Sequence, residues 1–274
     1  MNNLLKRVLV AAVGIPLALA VVYLGGWYFA AFIVVLAGGT AYELNRIALR
    51  LPVDSSPWIP VLAAAALPAV GMLWGLDGIM LFFLLTVIVL GISSLARPPL
   101  QGFQGIMLNV FTVVYSGILF SMFVLLRNSG VDGDLFRGGW TIVYAIVGVW
   151  LADSAAFFVG SYLGKHRMSP VLSPNKTYEG TISGIVAAIA FCIWAPLMPD
   201  AYLGLVDRIA LGVIVGVMAV LGDLAESMIK RAVEIKDSGK LFPGHGGMLD
   251  RFDSLLMVLP SVYLYLVLRG IIGH

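Results

Sequence analysis

Charged and hydroxyl side chains concentrate between Gly222 and Ser254, in the sequence GDLAESMIKRAVEIKDSGKLFPGHGGMLDRFDS. Charged residues make up only 12% of the whole chain, so this concentration needs a chemical reason. The first half contains no proline, has no glycine after Gly222 and is rich in good helix formers, which predicts a helix. Four polar residues share one face of that helix at i, i+3, i+4 and i+7, namely Asp223, Glu226, Ser227 and Lys230.

A glycine-rich loop follows this helix and leads to a second acidic pair. Ser238, Gly239 and Pro243, with the glycines after them, end the helix. The loop carries His245, and Asp250 and Asp253 follow at i, i+3 with Arg251 between them. Two acidic pairs therefore flank a loop that is rich in glycine and in cations.

These residue types together suit one kind of chemistry. Carboxylate oxygens are the ligands that Mg²⁺ prefers, while it keeps positions open for water and substrate phosphates. Lysines, arginines and glycine amides bind phosphates. The combination predicts metal-assisted phosphoryl or nucleotidyl transfer. The alternative is a solvated loop with ordinary ion pairs, which explains single residues better than it explains the whole cluster.

The segment from Ser227 to Asp253 resembles the signature of the phosphatidate cytidylyltransferases, also called CDP-diacylglycerol synthases. The signature reads Ser, any, apolar, Lys-Arg, four of any, Lys-Asp, any, small, two of any, apolar, Pro or Gly, any, His-Gly-Gly, apolar, any, Asp-Arg, apolar, Asp. Every specified position is matched. The resemblance implies that CTP and phosphatidate are joined to give CDP-diacylglycerol and pyrophosphate, for phospholipid biosynthesis.

A second polar segment resembles another recurrent part of that family, of the form Ser-Pro-x-Lys-Thr-x-Glu-Gly. It is matched here by Ser173, Pro174, Lys176, Thr177, Glu179 and Gly180. Upstream, Asp153 matches an aspartate usual in the family. Because a carboxylate inside a membrane span is costly, Asp153 is expected to face protein or water. The alternative is a helix-packing hydrogen bond with Ser154 or a neighbour.

The resemblance and the chemistry together imply residue roles. Mg²⁺ is expected on Asp223 and Asp250, with Glu226 and Asp253 as further ligands, and a second cation, monovalent or divalent, is a further option. The predicted catalytic set is Asp223, Asp250, Lys230, Lys236, Asp237, His245 and Arg251. The predicted substrate-binding set is Asp153, Lys176, Glu179, Ser227, Arg231, Gly246 and Gly247.

Within these sets, the cations are expected to hold the phosphates of CTP and phosphatidate. Gly246 and Gly247 would let backbone amides approach the triphosphate. His245 would donate a hydrogen bond to it, since Mg²⁺ takes imidazole poorly. The pair Tyr42 and Glu43 also matches a pair that family members often carry, but no role is assigned to it.

The elements that must position these residues are membrane helices. Sixty per cent of residues are apolar and the mean hydropathy is +0.99, which excludes an ordinary soluble domain. We predict an all-α polytopic membrane protein, with about 20 residues per crossing. The predicted nine spans are Val8–Leu24, Trp27–Leu49, Trp58–Leu76, Ile79–Leu95, Ile106–Leu126, Trp140–Leu163, Thr181–Leu197, Ile209–Ile229 and Leu255–Ile272.

Residues 1–135 are predicted to be scaffold helices facing lipid, and residues 136–274 to carry the catalytic loops, in one membrane-embedded enzyme. Residues 1–24 could pass for a signal peptide, but the apolar run continues to Leu24, which favours an uncleaved first helix. The single cysteine, Cys192, can form no internal disulfide.

Charge predicts the orientation. With the amino terminus in the cytoplasm, most lysines and arginines fall on the cytoplasmic side, and the exceptions are Arg127, Arg137, Arg208 and Arg269. The site is therefore expected at the cytoplasmic face of a bacterial-type inner membrane. The expected partners are CTP, phosphatidate, membrane lipids and a second copy in a homodimer, with no nucleic acid. The alternative function is an ion-coupled transporter with intramembrane carboxylates.

Overall fold

The computed structural model describes residues 3–53, 55–129, 135–194, 203–239 and 246–273, and it is an all-α membrane protein, as predicted. A π-helical segment, Val113–Ile118, joins the fourth and fifth helices. The helices are α1 Asn3–Leu24, α2 Gly26–Ala48, α3 Ile59–Ser94, α4 Pro99–Thr112, α5 Leu119–Asn128, α6 Leu135–Leu163, α7 Tyr178–Trp194, α8 Leu205–Arg231 and α9 Leu249–Leu268.

Six helical segments of the described chain are long and apolar enough to cross a membrane. They are Gly26–Ala48, Ile59–Ser94, Pro99–Asn128, Arg137–Leu163, Leu205–Arg231 and Leu249–Leu268, and two shorter apolar helices are Ala12–Leu24 and Tyr178–Trp194. The predicted third and fourth spans both lie in α3, which is kinked at Gly75. Gly75 has φ 62°, a left-handed conformation that glycine adopts without a steric penalty. Length and composition alone do not confirm the predicted count of nine.

The apolar interior lies where α2, α5, α8 and α9 meet. Phe29, Phe120 and Leu256 are buried there, and the rings of Phe120 and Phe252 lie 6.0 Å apart between α5 and α9. Large apolar side chains such as Leu81 on α3 and Leu264 on α9 are exposed on the outside. A bilayer would cover such an apolar surface, since lipid tails are as apolar as these side chains.

Glycines allow α6, α7 and α8 to pack closely. A Cβ at Gly184 of α7 would lie 2.8 Å from the carbonyl oxygen of Ala152 on α6. A Cβ at Gly216 of α8 would lie 2.7 Å from the Cα of Ile185 on α7. Small residues at helix interfaces let backbones approach in this way. The three helices therefore bring the Asp153 region and the polar end of α8 together.

A short β-hairpin connects α6 to α7, which sequence reasoning did not predict. Strands β1 (Arg167–Ser169) and β2 (Ser173–Thr177) pair antiparallel, with Arg167 opposite Thr177. Thr177 then caps α7, because its Oγ1 accepts a hydrogen bond of 3.2 Å from the Gly180 N–H. The hairpin carries Lys176 toward α8.

Candidate active site

Three carboxylates from two helices converge at the polar end of the helix bundle. Asp223 and Glu226 lie on α8 and Asp253 lies on α9, and one oxygen of each is within 4.8 Å of the others. We refer to Asp223, Glu226 and Asp253 as the carboxylate triad. Helical spacing places the first two on one face, as predicted.

The crossing of α8 and α9 brings the third carboxylate to the triad. A Cβ at Gly222 would lie 2.5 Å from the Asp253 carbonyl oxygen and 2.8 Å from the Ser254 Cα. The Ser254 hydroxyl donates a hydrogen bond of 3.2 Å to the Ala219 carbonyl. Glycine at position 222 is therefore what allows Asp223 and Asp253 to meet.

Two lysines contact the carboxylates of this site. The Lys176 Nζ on β2 lies 2.8 Å from Asp223 Oδ2. The Lys230 Nζ lies 2.7 Å from both Glu226 Oε2 and Asp250 Oδ1. With all four carboxylates ionised, two ammonium groups leave a formal excess of two negative charges.

One buried carboxylate oxygen of the triad has no partner in the described part of the chain, and it fits a cation. Glu226 is only 2% exposed, and its Oε1 has no hydrogen-bond partner among the described residues. Burying a carboxylate oxygen without a partner is costly, so native proteins pair such atoms or give them a metal ion. The triad offers three oxygen donors of the kind that Mg²⁺ prefers.

Asp250 is placed differently from the prediction that it would share the metal with Asp223. Its Oδ2 accepts hydrogen bonds from the Ser238 N–H at 2.9 Å and the Gly247 N–H at 2.7 Å. It also lies 3.0 Å from the Ser238 hydroxyl, whose single proton it shares with Glu43. Its other oxygen contacts Lys230. Among the described residues Asp250 lies outside the triad, and it holds the two ends of the signature loop together.

Glu43, to which no role was assigned, is buried against the same loop. Its carboxylate accepts hydrogen bonds from the Ser238 hydroxyl at 2.8 Å and from the Met248 and Leu249 N–H groups, both at 2.9 Å. The last two belong to the first turn of α9, where backbone N–H groups lack partners inside the helix. A carboxylate also suits the positive end of the helix dipole. Glu43 therefore caps α9 from α2.

Packing inside the protein gives a steric reason for glycine at positions 246 and 247. This reason differs from the predicted one, which was close approach of their amides to the triphosphate. Gly246 has φ 82°, and a Cβ there would lie 2.5 Å from Asp250 Oδ2. A Cβ at Gly247 would overlap Ser238 and Glu43. The Gly247 N–H donates a hydrogen bond of 2.7 Å to Asp250 Oδ2 in this structure, and its approach to the triphosphate stays a prediction.

Four further signature residues lie at the surface, whereas Ser227 is buried. Arg231, Lys236, Asp237 and Arg251 are exposed. Arg231 donates a hydrogen bond of 2.9 Å to the Ile235 carbonyl, and the Ser227 hydroxyl donates one of 3.3 Å to Asp223. Lys236 and Asp237 line a cavity of about 810 Å³. Its other walls include Tyr42, Glu43 and Arg46 of α2 and Arg50, which follows α2. His245 lies outside the described residues.

A second cavity lies on the hairpin side of the triad. Its volume is about 640 Å³, and Asp153, Lys176 and Asp223 line it. Arg167 and Asn175 of the hairpin line it as well. The structure therefore brings Asp153 to the triad region, where it is exposed on the wall of this cavity. The Ser154 hydroxyl does not donate to Asp153, because it donates a hydrogen bond of 2.7 Å to the Trp150 carbonyl.

Glu179, which is predicted to bind substrate, contacts His166 of its own segment in this structure, and its substrate role stays a prediction. Its carboxylate lies 2.6 Å from His166 Nδ1 and accepts a bond of 3.3 Å from the His166 N–H. The hydrogen bond from the His166 side chain lowers the pKa of Glu179 to about 2. Glu179 is not among the residues that line the hairpin-side cavity, and its contacts fix the hairpin against the start of α7.

Fold and site together define a class: a polytopic helical membrane protein that holds an acidic, lysine-flanked site suited to phosphate chemistry. Comparison with known proteins gives the family. The model of the cytidylyltransferase family matches residues 5–269. Because the match covers almost the whole length of the chain, the chain belongs to this family.

Named relatives agree with that assignment. The phosphatidate cytidylyltransferase of Bacillus subtilis (strain 168) is 33% identical over 273 residues, covering 98% of this chain and 99% of the relative. The protein of that name from Staphylococcus aureus (strain COL) is 35% identical over 236 residues, covering 84% of this chain and 79% of the relative. A third, from Staphylococcus epidermidis (strain ATCC 12228 / FDA PCI 1200), is 32% identical over 229 residues, with the same coverage.

Proposed function

We infer that this chain is a phosphatidate cytidylyltransferase, which transfers the cytidylyl group of CTP to phosphatidate and gives CDP-diacylglycerol and pyrophosphate. The observation that carries this inference is the carboxylate triad with Lys176 and Lys230 against it, inside the signature of the cytidylyltransferase family. The relatives that bear the name match this chain over most of its length.

The reaction forms one bond and breaks one bond. A phosphate oxygen of phosphatidate attacks the α-phosphorus of CTP, and the bond from that phosphorus to the bridging oxygen breaks as pyrophosphate leaves. The second pKa of a phosphate monoester is about 6, so near neutral pH the attacking group is mostly ionised without a general base. The main barrier is the approach of two polyanions, which positive groups in the site lower.

Mg²⁺ is the cofactor that we propose for the triad, with room for a second cation as a further option. Asp223, Glu226 and Asp253 would hold it, and the unpaired Oε1 of Glu226 supports this assignment. When bound, Mg²⁺ supplies positive charge that offsets the charge on the phosphates.

The lysines have separate roles in this proposal. Lys176, on the wall of the hairpin-side cavity, would bind substrate phosphate when it moves from Asp223 to the ligand. Lys230 instead stays between Glu226 and Asp250, where it fixes both carboxylates. The exposed Lys236, Arg231 and Arg251 remain candidates for contacts with phosphates at the rim.

The location and assembly are also proposals. The distribution of lysines and arginines supports a site at the cytoplasmic face, where CTP is present. The apolar helices support a protein that is integral to the membrane, and the bacterial relatives support the plasma membrane. The homodimer implied by the family resemblance stays a prediction, which analytical ultracentrifugation in detergent would test.

The testing experiment measures incorporation of labelled CTP into lipid by the purified protein in detergent with phosphatidate, with and without Mg²⁺, while following pyrophosphate. We expect metal-dependent formation of CDP-diacylglycerol and an equal amount of pyrophosphate. Asp223→Asn should lower activity by about a hundredfold or more, because it removes a charged ligand of the proposed Mg²⁺, whose positive charge offsets that of the reacting phosphates. Asp77→Asn, an exposed acid on α3, is the matched control and should keep full activity.

Two results would contradict the proposal. Folded protein that forms no CDP-diacylglycerol with any phosphatidate would exclude the activity. Full Mg²⁺-dependent activity in Asp223→Asn would exclude the triad as the metal site while leaving the family assignment in place.

A further inference from the structure

The cavity of about 810 Å³ at the end of α2 is separate from the carboxylate triad, and we refer to it as the α2-side cavity. Its walls come from the end of α2, from Arg50 beyond that helix and from residues 235–239, which follow α8. The described residues that line it include neither a member of the triad nor Lys176. The proposed reaction at the triad therefore assigns no ligand to this cavity.

The α2-side cavity is positively charged. Three cations line it among the described residues: Arg46 in the last turn of α2, Arg50 two residues beyond α2, and Lys236 after α8. All three side chains are exposed. Two acids, Glu43 and Asp237, also line the cavity, which leaves a formal excess of one positive charge. The cavity therefore suits an anionic ligand.

The two arginines are available to such a ligand. Neither guanidinium donates a hydrogen bond to a described residue or forms an ion pair with one. The Arg46 Cζ lies 5.9 Å from the centre of the Tyr42 ring, a cation–π contact that orients its guanidinium. A guanidinium is planar and binds phosphate through two N–H groups at once. Arg46 and Arg50 therefore suit a phosphate group.

The α2-side cavity lies at the end of a membrane helix. The segment Gly26–Ala48 is long and apolar enough to cross a membrane, and the cavity is built on its last turns. Tyr42 of the cavity wall stacks on the exposed Trp58, with the ring centroids 6.3 Å apart. Tyrosine and tryptophan collect at the membrane–water interface, and basic pockets between membrane helices bind the headgroups of anionic lipids. The position therefore favours a phosphate that is carried by a lipid.

Hydrogen bonds connect the wall of the α2-side cavity to the triad. The Ser238 hydroxyl lies 2.8 Å from Glu43, and the Ser238 N–H donates a hydrogen bond of 2.9 Å to Asp250. Asp250 contacts Lys230, which contacts Glu226 of the triad. A ligand that joins α2 to the segment after α8 would therefore stabilise the loop that Asp250 holds.

We propose that the α2-side cavity binds the phosphate of an anionic phospholipid. Arg46 and Arg50 bind the phosphate oxygens, and Lys236 supplies a third positive charge from the loop. The acyl chains extend into the bilayer past Tyr42 and Trp58. This proposal goes beyond the proposed function, because the lipid is bound at a separate site and is not converted.

Phosphatidylglycerol is the probe for this site, because its phosphate is a diester and lacks the monoester oxygen that the proposed reaction needs. Its effect on the melting temperature of the purified full-length protein in detergent is compared with that of zwitterionic phosphatidylcholine. A ligand that binds only the folded protein raises the melting temperature as its concentration rises. Arg46→Gln and Arg50→Gln each remove one cation of the cavity. The matched control is Lys165→Gln, which removes an exposed cation after α6 that lines neither the α2-side nor the hairpin-side cavity.

We expect phosphatidylglycerol to raise the melting temperature of wild type and Lys165→Gln equally, and phosphatidylcholine to raise it less. Each arginine variant should need about tenfold more phosphatidylglycerol for the same shift, the loss that one charge-assisted hydrogen bond predicts. Arg50→Lys should give an intermediate result, because it keeps the charge and loses the planar fork. Without lipid, both glutamine variants should melt as the wild type does. Mn²⁺ replaces Mg²⁺ in a binding control, because electron paramagnetic resonance detects the free ion, and its affinity should be unchanged.

Three results would overturn the proposal. An equal response to phosphatidylglycerol in wild type and both glutamine variants would place the bound lipid elsewhere. An equal, arginine-dependent shift with inorganic phosphate or CTP would show that the cavity takes free phosphate groups. A glutamine variant that melts lower without lipid, or that binds Mn²⁺ more weakly, would show that the arginines maintain the protein itself. Failure of the proposed function is distinguishable, because wild type without cytidylyltransferase activity would still bind phosphatidylglycerol.

Discussion

At residue scale, the acidic side chains of the signature divide between two tasks. Asp223, Glu226 and Asp253 face one another, whereas Asp250 accepts backbone and hydroxyl hydrogen bonds from the loop. The Lys230 ammonium contacts one member of each set. The geometry of the triad is thereby tied to the conformation of the loop.

Sequence reasoning found the residues of the triad because helical spacing alone places Asp223 and Glu226 on one face. Sequence reasoning could not separate the tasks of Asp250 and Asp253, because their i, i+3 spacing puts both on one face of α9. The fold of the loop decides which of the two accepts hydrogen bonds from it and which joins the triad. Glu43 was harder, since its partners Met248 and Leu249 lie 205 and 206 residues away. The usable signal was a carboxylate near the end of an apolar span, which is costly without partners.

The capping role of Glu43 gives a prediction. Glu43→Gln removes the charge and one acceptor oxygen, so the Met248 and Leu249 amides lose one of their hydrogen bonds to the side chain. We expect faster hydrogen exchange at these two amides and activity lowered by about tenfold. Hydrogen–deuterium exchange with mass spectrometry would measure the first effect.

Asp77→Asn again serves as control, because this acid lies on the exposed side of α3. Unchanged exchange at the start of α9 in Glu43→Gln would contradict the capping role. A loss of activity without faster exchange would instead indicate that Glu43 contacts substrate through the cavity it lines.

At the scale of elements, the site depends on where helices cross rather than on any one helix. Periodicity and composition predicted the helices, including the polar end of α8, because those signals are local. The π-helical segment and the β-hairpin were not predicted, since both arise from packing against neighbours and leave no local pattern. The kink in α3 falls at Gly75, two residues before the predicted break at Asp77 and Gly78, because only the backbone conformation shows which glycine bends.

The α8–α9 crossing gives the second prediction. Gly222→Ala places a methyl group against the Asp253 carbonyl and the Ser254 Cα, so the helices must separate. We expect a loss of stability of about 1–3 kcal/mol, the usual cost of overpacking. Mn²⁺ binding should weaken as well, because Asp223 and Asp253 move apart.

Gly91→Ala is the matched control for this change. A Cβ at Gly91 of α3 meets nothing within 4 Å, so alanine should be neutral or slightly stabilising through its higher helix propensity. Thermal unfolding in detergent and Mn²⁺ titration would compare the two variants. Gly222→Ala with wild-type stability and Mn²⁺ affinity would show that the crossing tolerates a methyl group.

At the scale of the whole molecule, the polar residues of α2, β2, α8 and α9 meet at one end of the bundle. Contacts from Glu43 to Ser238 and Met248, and from Lys176 to Asp223, join segments distant in sequence at that end. At the end of α5, Arg127 donates hydrogen bonds to the Val22 and Tyr23 carbonyls near the end of α1. Composition alone could not show which side chains meet at either place, and the predicted assignment of inside and outside loops stays a prediction.

Membrane orientation gives the last prediction, and the chain suits cysteine mapping because its only cysteine, Cys192, is fully buried. Lys236 lies in the exposed signature loop, whereas Gly273 is exposed beyond α9, whose 20 residues span about 30 Å. In spheroplasts, which are bacterial cells without the cell wall but with a sealed plasma membrane, a membrane-impermeant maleimide should label Gly273→Cys. It should label Lys236→Cys only after the membrane is permeabilised, because positive loops stay in the cytoplasm. Wild-type protein controls for reaction at Cys192. Labelling of Lys236→Cys in sealed cells would place the active site outside, away from cytoplasmic CTP, and would contradict the proposed orientation.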